Sequence, residues 1–593
     1  MAVGEDNKPI DSEQQLEHVD VVQGALAYDD AEHEPELHIR TWVALVAMCL
    51  FNYVVVFALL SPPAVISYIG TTLGATRVQT WVLNAFTLPQ AVLAPLFSSI
   101  SDVFQVRKEV IVCTIAISFI GSAIAPGSQS IYRLIVAQIL ISFGFSSSPL
   151  GYAIPSEILP RKWRPMGQVT INIFASLGSS TGPLIIGALT KANPENGWRK
   201  FWYTERIKWI QMGLWGASGL GVFFGYRPPK RHTRLDHLGF WQKLGHLDFP
   251  GFGLFAAGLS LFLVGLNLGG GQYAWTNARV LSTLVSGLGI LIVLGVYEWK
   301  GTSTGFLHHD LFRGGEGMGR TFAICLWLIF AEGILLFPYV VFFPIMNLVL
   351  FEQDPFLIVA RGQPFWVGCL MSTPVWGLIS TRLRRIKQPL AVGFIICTGG
   401  IVGLATIQPD DDTKSLIFAG LAGIGFGALI ILIVTAVQLS TPHHLIATAT
   451  AVTVSSRAVA ASVFTAIYVA AFSDRLKVKL PSYIASAALK AGLPKASLEE
   501  FAADLVGNNP AGLANIKGVT PVIISAGVAA LKQAYADSIR VVYIIAAPFG
   551  VAAALSCWFL ADMRKTMNYK VDAPMENLTV KVPHKERSNQ GSV

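Results

Sequence analysis

Charge is what this sequence has least of. Asp, Glu, Lys and Arg make up only 13% of its 593 residues, about half the share of an ordinary soluble domain. A soluble fold of this length is thereby excluded. Cysteine is scarce as well. Cys49, Cys113, Cys325, Cys369, Cys397 and Cys557 all lie in apolar runs, without disulfide or metal-ligand spacing, and read as small core residues. No Gly-Lys dipeptide occurs, which removes the phosphate-cradling loop of ATP-driven machines. No nucleophile–base set and no metal cluster is visible, so an enzyme has nothing to stand on and no cofactor is expected. A basic secretory leader is also missing. Residues 1–38 carry eleven acids against Lys8 alone, and residues 1–40 read as a solvated, disordered tail.

What is abundant is apolar sequence, at 53% hydrophobic residues and a mean hydropathy of +0.54. Runs long enough to cross a bilayer fall near 42–66, 80–98, 109–126, 133–153, 168–190, 209–226, 249–268 and 280–298. They continue near 321–346, 362–380, 389–407, 415–437, 448–472 and 541–561. This is an all-α polytopic membrane protein with fourteen expected spans, and an even number puts both ends on one side.

The net charge of +8 invites a nucleic-acid reading, but the Lys and Arg lie between the spans, where they set orientation. With cytoplasmic ends, seventeen of them fall in inside loops and ten outside. Five of those ten lie in 191–208, where Thr204–Lys208 reads as a basic insertion of no evident role. The segment 473–540 is expected as an extracellular loop, with Val522–Ser538 lying amphipathically on the membrane face. The sequon at Asn577 falls in the cytoplasmic tail and is expected to stay unmodified.

An internal repeat organises the map. Ser98-Ser-Ile-Ser-Asp-Val-Phe-Gln-Val-Arg-Lys108 closes the second span, and Gly377-Leu-Ile-Ser-Thr-Arg-Leu-Arg-Arg-Ile-Lys387 closes the tenth. Pairing them divides the chain into an N-terminal six-helix half (41–227), a linker with two inserted helices (228–300) and a C-terminal six-helix half (301–562). A cytoplasmic tail (563–593) follows. Repeats of this kind place a substrate site between the halves near mid-membrane.

Within span 5, Gly178, Gly182 and Gly187 line roughly one helix side and permit close backbone approach, while Pro183 bends the helix. The order Gly-x-x-x-Gly-Pro, with Ile186 where a glycine is expected, resembles a fifth-helix motif of drug:proton antiporters of the major facilitator superfamily. The 98–108 stretch resembles the loop between spans 2 and 3 of the same superfamily, with Asp102 and Arg107 matching. That resemblance implies that the acid caps a neighbouring helix and latches one conformation. Arg133 and Gln138 in span 4 match an Arg/Gln pair of such exporters only partly, being five rather than three residues apart; the resemblance implies a gating or proton-linked role for Arg133, and the alternative is an arginine reaching lipid headgroups.

Glu332 is the most central acid of any span. A carboxylate there must be protonated, paired or turned to a wet cavity, which suits it to carry a proton; the alternative is a packing hydrogen bond. Arg457 in span 13 is its expected counter-charge. Asn52, Asn84, Gln138 and Gln438, with Phe337 and Tyr339, are the expected polar and aromatic lining of a substrate cavity, packing against lipid being the alternative for the two aromatics. The glycines of Gly420–Gly427 and the pairs His308-His309 and His443-His444 read as packing and loop residues.

Fourteen spans, these motifs, and the strings Pro155-Ser-Glu-Ile-Leu-Pro-Arg-Lys-Trp-Arg-Pro165, Tyr226–His232 and Leu439–Leu445 together resemble the fungal trichothecene-efflux-pump branch of the major facilitators. The resemblance implies the major facilitator fold. It also implies proton-coupled export of a moderately apolar metabolite, toxin or drug across the plasma membrane by alternating access. The partners expected are a small-molecule substrate, protons and the lipid bilayer, with no nucleic acid, and the protein is expected to act as a monomer. Related branches import ferric siderophores, which is the alternative. The antiporter acid of span 1 is missing, Asn52 being that span's only strongly polar group, and this shifts the weight to Glu332.

Overall fold

In a computed structural model the described residues run from 28 to 581, except 77, 203–209, 229–238, 246, 270–272, 303–304, 306–307, 314–316 and 508. Arg77, the Thr204–Lys208 insertion and most of the Tyr226–His232 string lie outside them. Every expected span falls on helix, because a backbone inside hydrocarbon must satisfy its own hydrogen bonds. In chain order the helices are α1 (Ile39–Ala64), α2 (Trp81–Phe104), α3 (Arg107–Ile124), α4 (Ile131–Ile158), α5 (Arg164–Ala192), α6 (Ile210–Gly225) and α7 (Phe249–Leu268). They continue with α8 (Ala278–Val296), α9 (Met318–Met346), α10 (Gln363–Leu383), α11 (Lys387–Leu404), α12 (Asp412–Ser440), α13 (Ile446–Lys490) and α14 (Pro521–Ser556). Among the described residues, twelve helices are long and apolar enough to cross a membrane. The two positions outside that set are α6, with 16 residues, and α10, which carries Ser372, Thr373, Ser380, Thr381 and Arg382.

The chain repeat has a backbone counterpart. α2 ends at Gln105 and α10 at Arg384, and these are the only non-glycine residues with positive φ among those described, at 59° and 49°. Both stop a helix in the left-handed region, which costs an L-residue roughly 1–2 kcal/mol. The contacts are related in the same way. α1 packs on α5 as α9 packs on α13, and α2 packs across on α13 as α10 packs across on α5. The inserted helices lie at the edge. α7 meets α2 and α13 through Leu259, Leu263, Ala91 and Ala458, whereas only 17% of the most apolar stretch of α8 is buried.

Two readings need correction. Residues 473–540 are mostly helix, not loop. α13 runs 45 residues and α14 runs 36, about 68 and 54 Å at the helical rise, well beyond a hydrocarbon core of about 30 Å. Val522–Ser538 is helical but continuous with the last span, so it does not lie along the membrane face. With Leu498–Val506 it forms a small apolar cap around Phe501, Leu505, Ile484 and Ile523.

The second correction concerns the chain ends. The described part of the acidic segment pairs with the C-terminal segment through antiparallel bridges, Tyr28 with Val571 and Pro35 with Val580. Both ends therefore lie on one face of the bundle, the terminal face, and neither described part is a free tail.

Candidate functional site

Glu332 and Arg457 meet at the centre of the C-terminal half. Gly333 makes room for the approach: a Cβ there would lie 3.0 Å from the Arg457 carbonyl and from Ala460, so α9 and α13 run close together. Arg457 Nε donates to Glu332 Oε2 at 2.7 Å, and Glu332 is fully buried. Its Oε1 finds no hydrogen-bond donor among the described residues. A charge of either sign left alone at this depth is strongly disfavoured, so the pair behaves as a unit.

Toward the terminal face, two polar layers tie the halves together. The outer one is the 98–108 loop. Asp102 pairs with Arg107 at 2.9 Å, and Arg107 also pairs with buried Glu157 at the end of α4. Across the seam, Asp102 accepts from the Thr448 N–H at 3.1 Å and its hydroxyl at 2.7 Å. Thr448 lies in the first turn of α13, where the helix dipole favours an anion.

The inner layer centres on Gln438. Its Oε1 accepts from Ser156 at 2.5 Å and from Gln168 at 3.2 Å, and its Nε2 donates to the Tyr152 carbonyl at 3.1 Å. Arg164 Nη1 donates to the Gln438 carbonyl at 2.5 Å. Gln438 was expected in a cavity; instead it is a buried bridge between the halves.

At the opposite face, Lys191 at the end of α5 pairs with Asp354 at 2.6 Å, and Tyr68 donates to the Gln353 carbonyl at 3.4 Å. Asp354 also accepts from Phe356 and Leu357 N–H at the start of Pro355–Arg361. The Lys191 ammonium, helped by those N–H groups, holds its carboxyl below the usual carboxylate range. Just inside this bridge an apolar groove of about 540 Å³, counted to its open mouth, lies between the halves. Leu60, Pro63 and Pro183 line it from one side, and Tyr339, Trp366 and Gln363 from the other. Tyr339 is fixed by its hydroxyl on the Gly362 carbonyl at 2.8 Å and by stacking on Phe365 at 4.3 Å.

The other expected residues scatter. Gly178 and Gly182 press on α1: a Cβ on Gly178 would meet the Tyr53 carbonyl at 2.5 Å, and one on Gly182 the Phe57 carbonyl at 3.0 Å. That packing lies inside one half; only Gly187, facing Val359, touches the other. Asn52 is buried at the α1–α4 contact, bonded to the Met48 carbonyl at 3.0 Å. Asn84 bonds Asn267 of α7 at 2.9 Å, so its partner is an inserted helix. Gln138 is buried with neither amide atom bonded among the described residues. Arg133 is exposed on the outside of α4, beside Gly127, and Phe337 is half-buried outside the groove. Sequence reading missed Glu157, Ser156, Arg164, Gln168 and Thr448 as site members, since their partners lie far off in the chain.

The model of the "Fungal trichothecene efflux pump (TRI12)" family matches residues 1–586. The chain belongs to that family. It is thus a multi-pass membrane transporter of major facilitator type, with a small-molecule substrate, and not an enzyme. Its curated relatives are of low identity. The MFS-type transporter prx5 of Penicillium rubens is 25% identical over 469 residues, covering 77% of this chain and 81% of the relative. The trichothecene efflux pump TRI12 of Fusarium sporotrichioides is 21% identical over 554 residues, covering 91% and 89%. Among solved structures, an inward-facing bacterial homolog of the human lysosomal transporter Spinster aligns at a TM-score of 0.52 and 15% identity, covering 89% of this chain and 99% of that one. The proton:xylose symporter XylE aligns at 0.51 and 12%, covering 89% and 98%. At these identities the structures bear on the fold alone.

Proposed function

We propose that this transporter exports a moderately apolar small molecule in exchange for protons, as a monomer in the plasma membrane with its terminal face in the cytoplasm. The observation that carries the reading is the Glu332–Arg457 pair, buried mid-span with one carboxylate oxygen lacking a hydrogen-bond partner among the described residues. A proton taken up at Glu332 Oε1 neutralises the carboxylate and weakens its hold on Arg457, which then needs another partner. That change loosens the α9–α13 contact, and α13 is the helix whose first turn is latched to Asp102. Proton binding is thereby linked to the latch at the terminal face. The apolar groove around Tyr339 and Pro183 suits an uncharged, ring-bearing substrate, and the efflux named for the Fusarium relative supports the outward direction.

The test is efflux of a fluorescent apolar drug from cells with and without the protein, with a protonophore control. Faster efflux that the protonophore stops is the expected result. Accumulation of a labelled ferric siderophore, with no drug efflux, would reverse the direction and reject the reading.

A further inference from the structure

The segment after α14 leaves one half and is fastened to the other. On its own half, the Ala561 N–H donates to the Thr321 hydroxyl of α9 at 3.0 Å, and Met563 and Met567 are buried in that half's core. Seven residues further on it is bound to the α4–α5 connection of the N-terminal half. The Lys162 N–H donates to the Asn568 carbonyl at 2.7 Å and the Arg161 N–H to the Lys570 carbonyl at 3.0 Å. Lys162 Nζ donates to the Tyr569 hydroxyl at 2.6 Å. The Ala573 N–H donates to the carbonyl of Glu157 at 2.9 Å.

Asp572 is the centre of this attachment. Its side chain is 9% exposed and pairs with Arg161 at 2.6 Å and with Arg164. Arg164 is the residue that also holds the Gln438 carbonyl across the seam. Burial alone would push the Asp572 carboxyl up, but the Arg164 and Arg161 guanidinium groups outweigh it and hold the carboxyl below the usual range. The N-terminal segment covers the same stretch from outside, the Val571 N–H donating to the Tyr28 carbonyl at 3.0 Å.

We propose that residues 561–576 form a strap that holds the terminal face of the seam shut, with Asp572 as its clasp. Opening that face separates Arg164 from Gln438 and draws the α4–α5 connection away from α9. The strap is attached to both halves, so opening must break one set of its attachments, and the Asp572 ion pairs are the charged part of that set. Residues 28–36 lock the strap in place, which makes the two chain ends a built-in restraint on loading from this side. The inference concerns gate opening alone and does not depend on the substrate or on proton coupling.

The test is hydrogen exchange of the full chain in lipid nanodiscs, read over 438–450, which carries the Gln438 and Thr448 seam contacts and none of the amides bonded to the strap. Asp572→Asn should speed exchange there by about tenfold, the scale of one lost charge-assisted contact, while Asp572→Glu stays near wild type. Arg161→Gln, at a partly exposed partner, should give a smaller increase over the same residues and guards against a folding defect in the first variant. If both variants loosen only 561–581 and leave the seam peptides at the wild-type rate, the segment is a passive tail and the proposal fails.

Discussion

Arg457 and Glu332 lie 125 positions apart in the chain and 2.7 Å apart in space. Neither has a second charged partner at that depth among the described salt bridges. Removing one leaves the other uncompensated in a medium where a lone charge is costly, up to about 3 kcal/mol here given that Arg457 is partly exposed. We therefore expect Arg457→Met to lower thermal stability more than the double variant Glu332→Gln/Arg457→Met does. A cycle of unfolding measurements in detergent checks this. Strictly additive losses would mean that the two side chains act separately.

The Asp102 latch predicts a graded response. Asp102→Asn weakens the contacts to Thr448 and Arg107, but Glu157 still neutralises Arg107. The expected loss is about 1.5–3 kcal/mol, the range for hydrogen bonds to charged groups. Adding Glu157→Gln removes the second carboxylate paired with Arg107 and should deepen the loss. Accessibility of the terminal face to an impermeant thiol probe should rise in the same order. Equal accessibility in both variants would show that the latch does not cross the seam.

The three glycines of α5 should not be equivalent. At Gly178 the obstacle is the Tyr53 carbonyl, and a helix backbone cannot give way; at Gly187 the nearest atom is the end of a Val359 side chain, 3.3 Å away. Gly178→Ala should therefore cost on the order of 1–3 kcal/mol, whereas Gly187→Ala should be nearly silent in unfolding and in transport. The reverse ranking would place the tight contact between the halves and not within one.

Much of this was legible in the sequence, for identifiable reasons. The spans were visible because hydrocarbon enforces long apolar helices. The central acid and its partner arginine were visible because charge is so rare within them. Asp102 and Arg107 could be found because the 98–108 stretch resembles a loop of the major facilitators. Glu157 is equally buried and equally charged, but its partner is fifty residues upstream, and nothing in Pro155-Ser-Glu-Ile-Leu-Pro points to it. Gln438 looked like a cavity residue because polarity within a span marks the seam without saying which level of it. Asn84 misled for the same reason: it is satisfied by Asn267 of an inserted helix, which a two-half scheme leaves out. The 473–540 segment looked like a loop because its charges end the apolar run, yet charged residues continue a helix well once it leaves the bilayer.

Acid should weaken the bridge at the opposite face. The Asp354 carboxyl has a folded pKa below its ordinary value of about 3.9, with Lys191 as the main cause. Its stabilising effect is therefore complete above that ordinary value and is lost as pH falls through the lower folded one. Asp354→Asn keeps a cap for the Pro355–Arg361 helix but has no charge to lose. The stability difference between wild type and this variant should hold steady above about pH 4 and shrink below it. A difference that grew on acidification would contradict the assignment.

On the proposed reading, Glu332 carries the driving ion. The direct measurement is solute movement into inside-out proteoliposomes under an imposed pH gradient, wild type beside Glu332→Gln, with thermal unfolding to verify that both are folded. Gradient-driven accumulation is expected in the wild type, and in the variant binding without accumulation and no response to the gradient. Undiminished gradient-driven accumulation by Glu332→Gln, or accumulation by the wild type with the gradient collapsed, would contradict it.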